Sequence, residues 1–190
     1  MTLFDTPLVY FLWILGAYIL GSVSVGDLVA RTRGVNIRSV GTGNPGTANV
    51  YREMGRSYGI LVCILDVMKG IVATLPLYVT GFPPLLGLFA ASALLAGHIF
   101  PILWKFHGGT GMATAMGTTL GLLPAGALVA IIPTVLAMKL TRNTGYTGGL
   151  FFLITVSVGS VFHKEAIGVI GVILVCMIIL AKALTQYKNS

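Results

Sequence analysis

Charge is what this sequence has least of. Only 9% of its 190 residues are charged and only 5 are acidic, against about 25% charged residues in an ordinary soluble domain. With 56% hydrophobic residues and a mean hydropathy of +0.94, the chain cannot cover a surface that faces water. Cysteine is nearly absent too. Cys63 and Cys176 lie singly inside apolar stretches without a CxxC spacing, so they read as small hydrophobes rather than as a disulfide or metal site. No basic stretch is interleaved with aromatics, so the net charge of +7 does not imply nucleic acid as a partner. A Walker A pattern, a Ser-His-Asp arrangement and a metal-ligand cluster are all missing, and no metal or cofactor is expected. The first apolar stretch, 7 to 25, lacks a basic leader and a small-residue cleavage pattern, and reads as a membrane helix rather than a secretory signal.

Long apolar runs are what the sequence does have, several of them near the ~20 residues that cross a bilayer. Between polar breaks they predict helices near 7–30, 57–80, 84–104, 112–122, 125–140, 147–163 and 166–185. The expectation is one all-α integral membrane domain over 1–190 with about seven transmembrane helices. The fourth and fifth segments are interrupted by Gly117, Gly121, Pro124 and Pro133. With that count, Arg31, Arg33, Arg38, Arg52, Arg56, Lys105, Lys139, Arg142, Lys182 and Lys188 gather on one side and Lys164 on the other. By the positive-inside rule the N-terminus is expected outside, and the loops 31–56, 105–111 and 139–148 and the C-terminus cytoplasmic. Trp13 and Trp104, near segment ends, read as interfacial anchors.

Three polar stretches break this pattern. The loop VGTGNPGTANVYR, Val40 to Arg52, combines Gly41, Gly43 and Gly46 with the neutral hydrogen-bonding groups of Thr42, Asn44, Thr47 and Asn49, and adds the cation of Arg52. A glycine-rich nest of backbone N–H groups with a guanidinium beside it suits a phosphorylated ligand. A plain connection whose arginine only sets orientation has the same composition. In LDVMKG, Asp66 and Lys69 share one face of an apolar helix and neutralise each other, supporting the site structurally. In GHIFPILWKFHGGTGMATAMG, Gly108, Gly109 and Gly111 put backbone donors at the start of the next helix, a natural anion seat. Lys105 and His107 bring positive charge just before it, although Lys105 also fits a snorkelling role. His98, a lone histidine on an apolar helix, reads on its own as a packing residue, and His163 as a solvated turn residue.

From Gly21 and Ser22, through VGTGNPGTANVYREMG, LDVMKG and GHIFPILWKFHGGTGMAT, the sequence resembles the PlsY family, the bacterial acyl-phosphate:glycerol-3-phosphate acyltransferases. The resemblance implies a seven-helix protein of the bacterial cell membrane, with membrane lipids around it and acyl phosphate and glycerol 3-phosphate as substrates. It implies transfer of the acyl group to give lysophosphatidic acid. By position, Arg52 matches the family's essential arginine, Asn44 and Asn49 match, and Thr42 stands for the serine of GSGN. Gly108, Gly109 and Gly111 match the KGGKG loop, with His107 and Thr110 where its lysines stand. No counterpart of the C-terminal HRxN occurs in 181–190; the polar residues there, Lys182, Gln186, Lys188 and Asn189, do not match it in spacing.

The expected catalytic residues are therefore Thr42, Asn44 and Arg52. The expected substrate-binding residues are Gly41, Gly43, Asn49, Lys69, His98, Lys105, His107, Gly108, Gly109, Thr110 and Gly111. Two other classes fit part of the pattern: a non-catalytic paralogue that binds a phosphorylated lipid precursor, and a small membrane transporter or scaffold.

Overall fold

The computed structural model describes residues 6–162 and 166–188. His163, Lys164 and Asn189 lie outside the described residues, as do the side chains of Gln186 and Lys188. The described chain is helical throughout: α1 Pro7–Ser22, α2 Val25–Arg31, α3 Thr47–Met54, α4 Arg56–Val79, α5 Pro84–Ile99, α6 Met112–Leu122, α7 Pro124–Thr141, α8 Thr144–Phe162 and α9 Ala166–Lys188. Proline opens α1, α5 and α7, where its missing N–H costs no intrahelical bond and its φ suits the first turn. Pro101 and Pro124 hold the chain before them out of the helical region, so α5 stops at Ile99 and α6 at Leu122.

Among the described residues six stretches are long and apolar enough to cross a membrane: 7–31, 56–79, 84–104, 124–141, 144–162 and 166–183. The protein is a multi-pass integral membrane helix bundle. The segment expected over 112–122 is a helix with those bounds. Its 11 residues rise only about 16 Å, however, half of a ~30 Å hydrocarbon core. By length alone the candidate spans number six, where about seven had been expected. The first expected helix is also divided, because Val23 and Ser24 are extended between α1 and α2.

Small residues set the packing. Leu94's carbonyl occupies the space of a Cβ at Gly21, and Tyr18's carbonyl that at Gly97, so α1 and α5 cross with their backbones in contact. They run parallel, with Tyr10 on Phe82 at one end and the Tyr18 hydroxyl on Phe100's carbonyl at the other. Gly126 meets Thr155's carbonyl and Gly159 meets Leu123, which makes α7 and α8 antiparallel. α4 and α6 run parallel: Gly117 sits on Val67's carbonyl, Gly70 on Thr114's, and Gly121 on Thr74. Water does not drive helices together inside a bilayer, so close van der Waals contact of this kind carries the association. Thr74 reinforces it, its hydroxyl donating to Gly70's carbonyl at 2.9 Å and lying 3.1 Å from Thr118's. The outward faces carry Leu140, Val79, Ile132 and Leu128, as surfaces solvated by lipid do. Trp13 is partly buried against the bundle, its indole N–H donating to Ala73's carbonyl at 2.9 Å.

Candidate functional site

The loop after α2 is shaped from inside by Asn49. Its side-chain oxygen accepts from the Thr42 N–H at 2.9 Å, while its amide nitrogen donates to the carbonyls of Ile37 at 3.3 Å and Val40 at 3.1 Å. Asn49 is 2% exposed, so it is a clamp on the loop rather than an outward-facing ligand group. The positive φ of Gly41, 56°, and of Gly43, 67°, lets the backbone turn around that amide. Asn44 accepts from the Gly46 N–H at 3.0 Å. Thr42 and Arg52 are exposed, and among the described residues Arg52 has no ion-pair partner.

A second clamp was not anticipated from sequence. Arg38 grips Asp27 bidentately, at 2.8 and 2.6 Å, and donates to His107's carbonyl at 2.6 Å. Ser24 donates to the same carboxylate at 2.6 Å. The pair ties α2, the first loop and the turn before α6 together with charge-assisted hydrogen bonds. Its signal in the sequence was Asp27 itself, a solitary acid within an apolar stretch.

The 100–111 segment folds back onto the end of α5. The Gly108 N–H donates to Ile99's carbonyl at 3.0 Å, and Gly108 lies against His98's carbonyl with no room for a side chain. At Gly109 a Cβ would stand 2.6 Å from His98 Nε2 and 3.5 Å from Asn44 Oδ1. The two glycine-bearing loops therefore meet at Asn44 and Gly109, directly over the His98 ring. Gly111, at φ 84°, then turns the chain into α6. Thr110 is half-buried within this turn.

Beneath His98 lies a buried polar network. The Lys69 ammonium is 2.9 Å from Asp66 Oδ1, 2.9 Å from Val23's carbonyl and 3.4 Å from His98 Nδ1. The break between α1 and α2 is what turns Val23's carbonyl toward it. An ammonium has only donors, so where Lys69 hydrogen-bonds Nδ1 that nitrogen accepts and is without a proton. In that tautomer the imidazole hydrogen is on Nε2, the nitrogen nearest Gly109. Thr114 Oγ1 lies 3.1 Å from the same Nδ1 and Asp66 Oδ1 3.9 Å from it. Hydroxyl and carboxylate thus approach one nitrogen instead of opposite ends of the ring, and Thr114 is fully buried, so the trio is not a nucleophilic triad. Lys69, expected among the binding residues, has its charge engaged below the pocket. Thr114 was not foreseen at all.

Lys105 and His107 stand apart from this pocket, exposed on a turn where Lys105 (φ 52°) and Phe106 (φ 62°) are both left-handed. The His107 Nδ1–H donates to Lys105's carbonyl at 2.7 Å.

Fold and site define a polytopic membrane protein in which two glycine-bearing loops meet over a buried histidine at one end of its bundle. The family model described as glycerol-3-phosphate acyltransferase matches residues 11–189. The glycerol-3-phosphate acyltransferase of Geobacter metallireducens is 42% identical over 122 residues, 64% of this chain and 63% of that protein. That of Aquifex aeolicus is 38% identical over 117 residues, 61% of each, and that of Thermus thermophilus 40% identical over 148, covering 75% and 74%. The crystal structure of PlsY, an integral membrane glycerol 3-phosphate acyltransferase, in its glycerol 3-phosphate form superposes with a TM-score of 0.84 at 28% identity, over 95% of this chain and 90% of the other. The lysophosphatidic acid form gives 0.82 at 27%. This chain belongs to the glycerol-3-phosphate acyltransferase family. The chain spans 63% and 61% of the length of the first two of these relatives. In 181–188, where the resemblance would have put HRxN, the backbone continues as helix α9.

Proposed function

We propose that the chain transfers a fatty acyl group from acyl phosphate to glycerol 3-phosphate, as one domain over 1–190, and releases lysophosphatidic acid and inorganic phosphate. Family membership supports this reading, and so does the likeness to PlsY in forms named for glycerol 3-phosphate and lysophosphatidic acid. The observation that carries it is the convergence of the two glycine loops on His98, where Asn44 Oδ1, Gly109 and His98 Nε2 come together.

In this mechanism the 1-hydroxyl oxygen of glycerol 3-phosphate attacks the acyl carbonyl. The new ester C–O bond forms, the bond from carbonyl carbon to phosphate oxygen breaks, and the departing phosphate takes the hydroxyl proton. Acyl phosphate is already activated, so positioning and electrostatic stabilisation carry the rate. Arg52 and the backbone of 108–111, with Thr110, hold phosphate; Thr42 and Asn44 orient the reacting groups; Gly41 and Gly43 admit the ligand. His98 donates from Nε2 to a developing oxyanion, and Asn49 and Lys69 keep the loop and the ring in place. Lysophosphatidic acid formed by the purified protein from palmitoyl phosphate and glycerol 3-phosphate is the test. Arg52→Ala should lower it by about 100-fold or more, and equal product from that variant would refute the assignment.

We further infer an odd number of crossings, with the N-terminus outside and the pocket and C-terminus cytoplasmic. In support, Gly117 sits beside Val67 partway along α4 and Leu122 packs against Gly87 near the start of α5. The turn 105–111 therefore descends from the end that bears the pocket, and α6 completes a crossing that it is too short to make alone. The continuation of α9 through 181–188 favours a second reading, a paralogue that binds the same ligands without turnover. Ligand binding without product from folded protein would select it.

A further inference from the structure

A second concavity opens on the same end of the bundle, on the far side of the Arg38 clamp. It is a cleft of about 730 Å3, lined among others by Asp27, Arg31, Arg38, Trp104, Lys105 and His107. That volume falls in the range of small-ligand sites, ~300–1,000 Å3. Its one acid is already matched: Asp27 is held by Arg38. Arg31 and Lys105 therefore leave the cleft with uncompensated positive charge. The Arg31 guanidinium lies over the Trp104 ring, 4.4 Å from its centroid, and Arg38 lies over the same ring at 5.1 Å. Stacking engages the face of a guanidinium and fixes its plane while its N–H edges stay available for an oxyanion. Among the described residues no acceptor takes those of Arg31.

The same cleft has an apolar border. Leu103 is among its lining residues, and Leu103, Ile102 and Phe106 are 67%, 58% and 56% exposed. In a membrane bundle, exposed side chains of this kind meet acyl chains. Cations on an aromatic shelf beside a lipid-facing edge match an amphiphile better than a free ion.

We propose that this cleft is a second anion seat, which takes the phosphate head of a single-chain amphiphile arriving from the leaflet, with Arg31 and Lys105 at the phosphate and Leu103 against the chain. The seat does not depend on the acyltransferase reading.

The test is native mass spectrometry of the full chain with hexadecyl phosphate, an alkyl monophosphate that has no acyl group to transfer. Two molecules should bind. Arg31→Ala combined with Lys105→Ala should remove one, weakening it about tenfold or more, and Arg52→Ala should remove the other. Arg33→Ala, an exposed arginine that does not line the cleft, is the charge control and should still bind two. Wild-type stoichiometry and affinity in the Arg31/Lys105 variant would overturn the proposal, as would an equal loss in Arg33→Ala. Hexadecanol binding as well as hexadecyl phosphate would remove the anion from the assignment, and inorganic phosphate displacing hexadecyl phosphate at equal concentration would remove the amphiphile. No turnover enters this measurement. An Arg31-dependent second molecule in a protein that makes no lysophosphatidic acid would keep the seat and refute only the acyltransferase reading.

Discussion

Gly109 is the residue on which the pocket's shape depends most directly. Its backbone packs directly against His98 Nε2, so that a methyl group there would stand 2.6 Å from the ring nitrogen. Gly109→Ala must therefore push the imidazole or the loop aside by a few tenths of an ångström or more. Misplacement of this order in a reacting site costs up to about 100-fold in rate. The expected outcome is a fall in kcat of that order with thermal stability nearly unchanged, measured as lysophosphatidic acid formation alongside a melting curve. Loss of stability with intact kcat would show that Gly109 serves packing alone. Several of these residue relations were legible in the sequence and others were not. Asp66 and Lys69 are three residues apart on one helix, and helical periodicity alone brings them together. The contacts from Lys69 to Val23 and His98 join chain positions 46 and 29 residues apart, a choice of partner made by the fold. For the same reason Asp27 and Arg38 were visible as charges but not as a pair.

Among the elements, α4 and α6 are joined most closely, through Gly70, Gly117 and Gly121. Gly117→Val would drive a branched side chain into Val67's carbonyl, and overpacking of this kind costs about 1–3 kcal/mol where neighbours can yield. Here the neighbour is backbone. The expected result is a lower melting temperature together with lost activity, because α6 carries the end of the glycine loop with it. An unchanged melting temperature would contradict the parallel register. The boundaries of the long apolar helices were mostly legible to within a few residues because length, apolarity and proline placement mark them. But α3, Thr47–Met54, lies where a loop was expected, because its packed face is short and its sequence polar. The break at Val23 and Ser24 was not, since nothing in GSVSVG disrupts an apolar pattern long enough to continue, and only the packed structure shows α2 turning toward Pro45.

For the whole molecule, the arrangement predicts that its two ends lie on opposite sides of the membrane. Reporter fusions at the N-terminus and at the C-terminus, each compared with a cysteine introduced at Ser39, should place the first opposite Ser39 and the second with it. Both ends on one side would give an even number of crossings and would mean that α6 turns back. The charge asymmetry carried this expectation in the sequence. The bundle's contribution is the way a helix of 11 residues takes part in it.

The network beneath His98 has a further consequence. One buried cation faces one buried anion, Lys69 and Asp66, and a backbone carbonyl completes the ammonium's shell. The floor of the pocket is thus electrically neutral, although a lysine stands within it. An oxyanion settling on the loop above meets oriented dipoles there and no net attraction from below. Dipoles that are already aligned discriminate by geometry, and they release a product that no longer fits as readily as they accepted its precursor. A catalyst built this way would show its selectivity in the rate of the chemical step rather than in how long it holds what it has made.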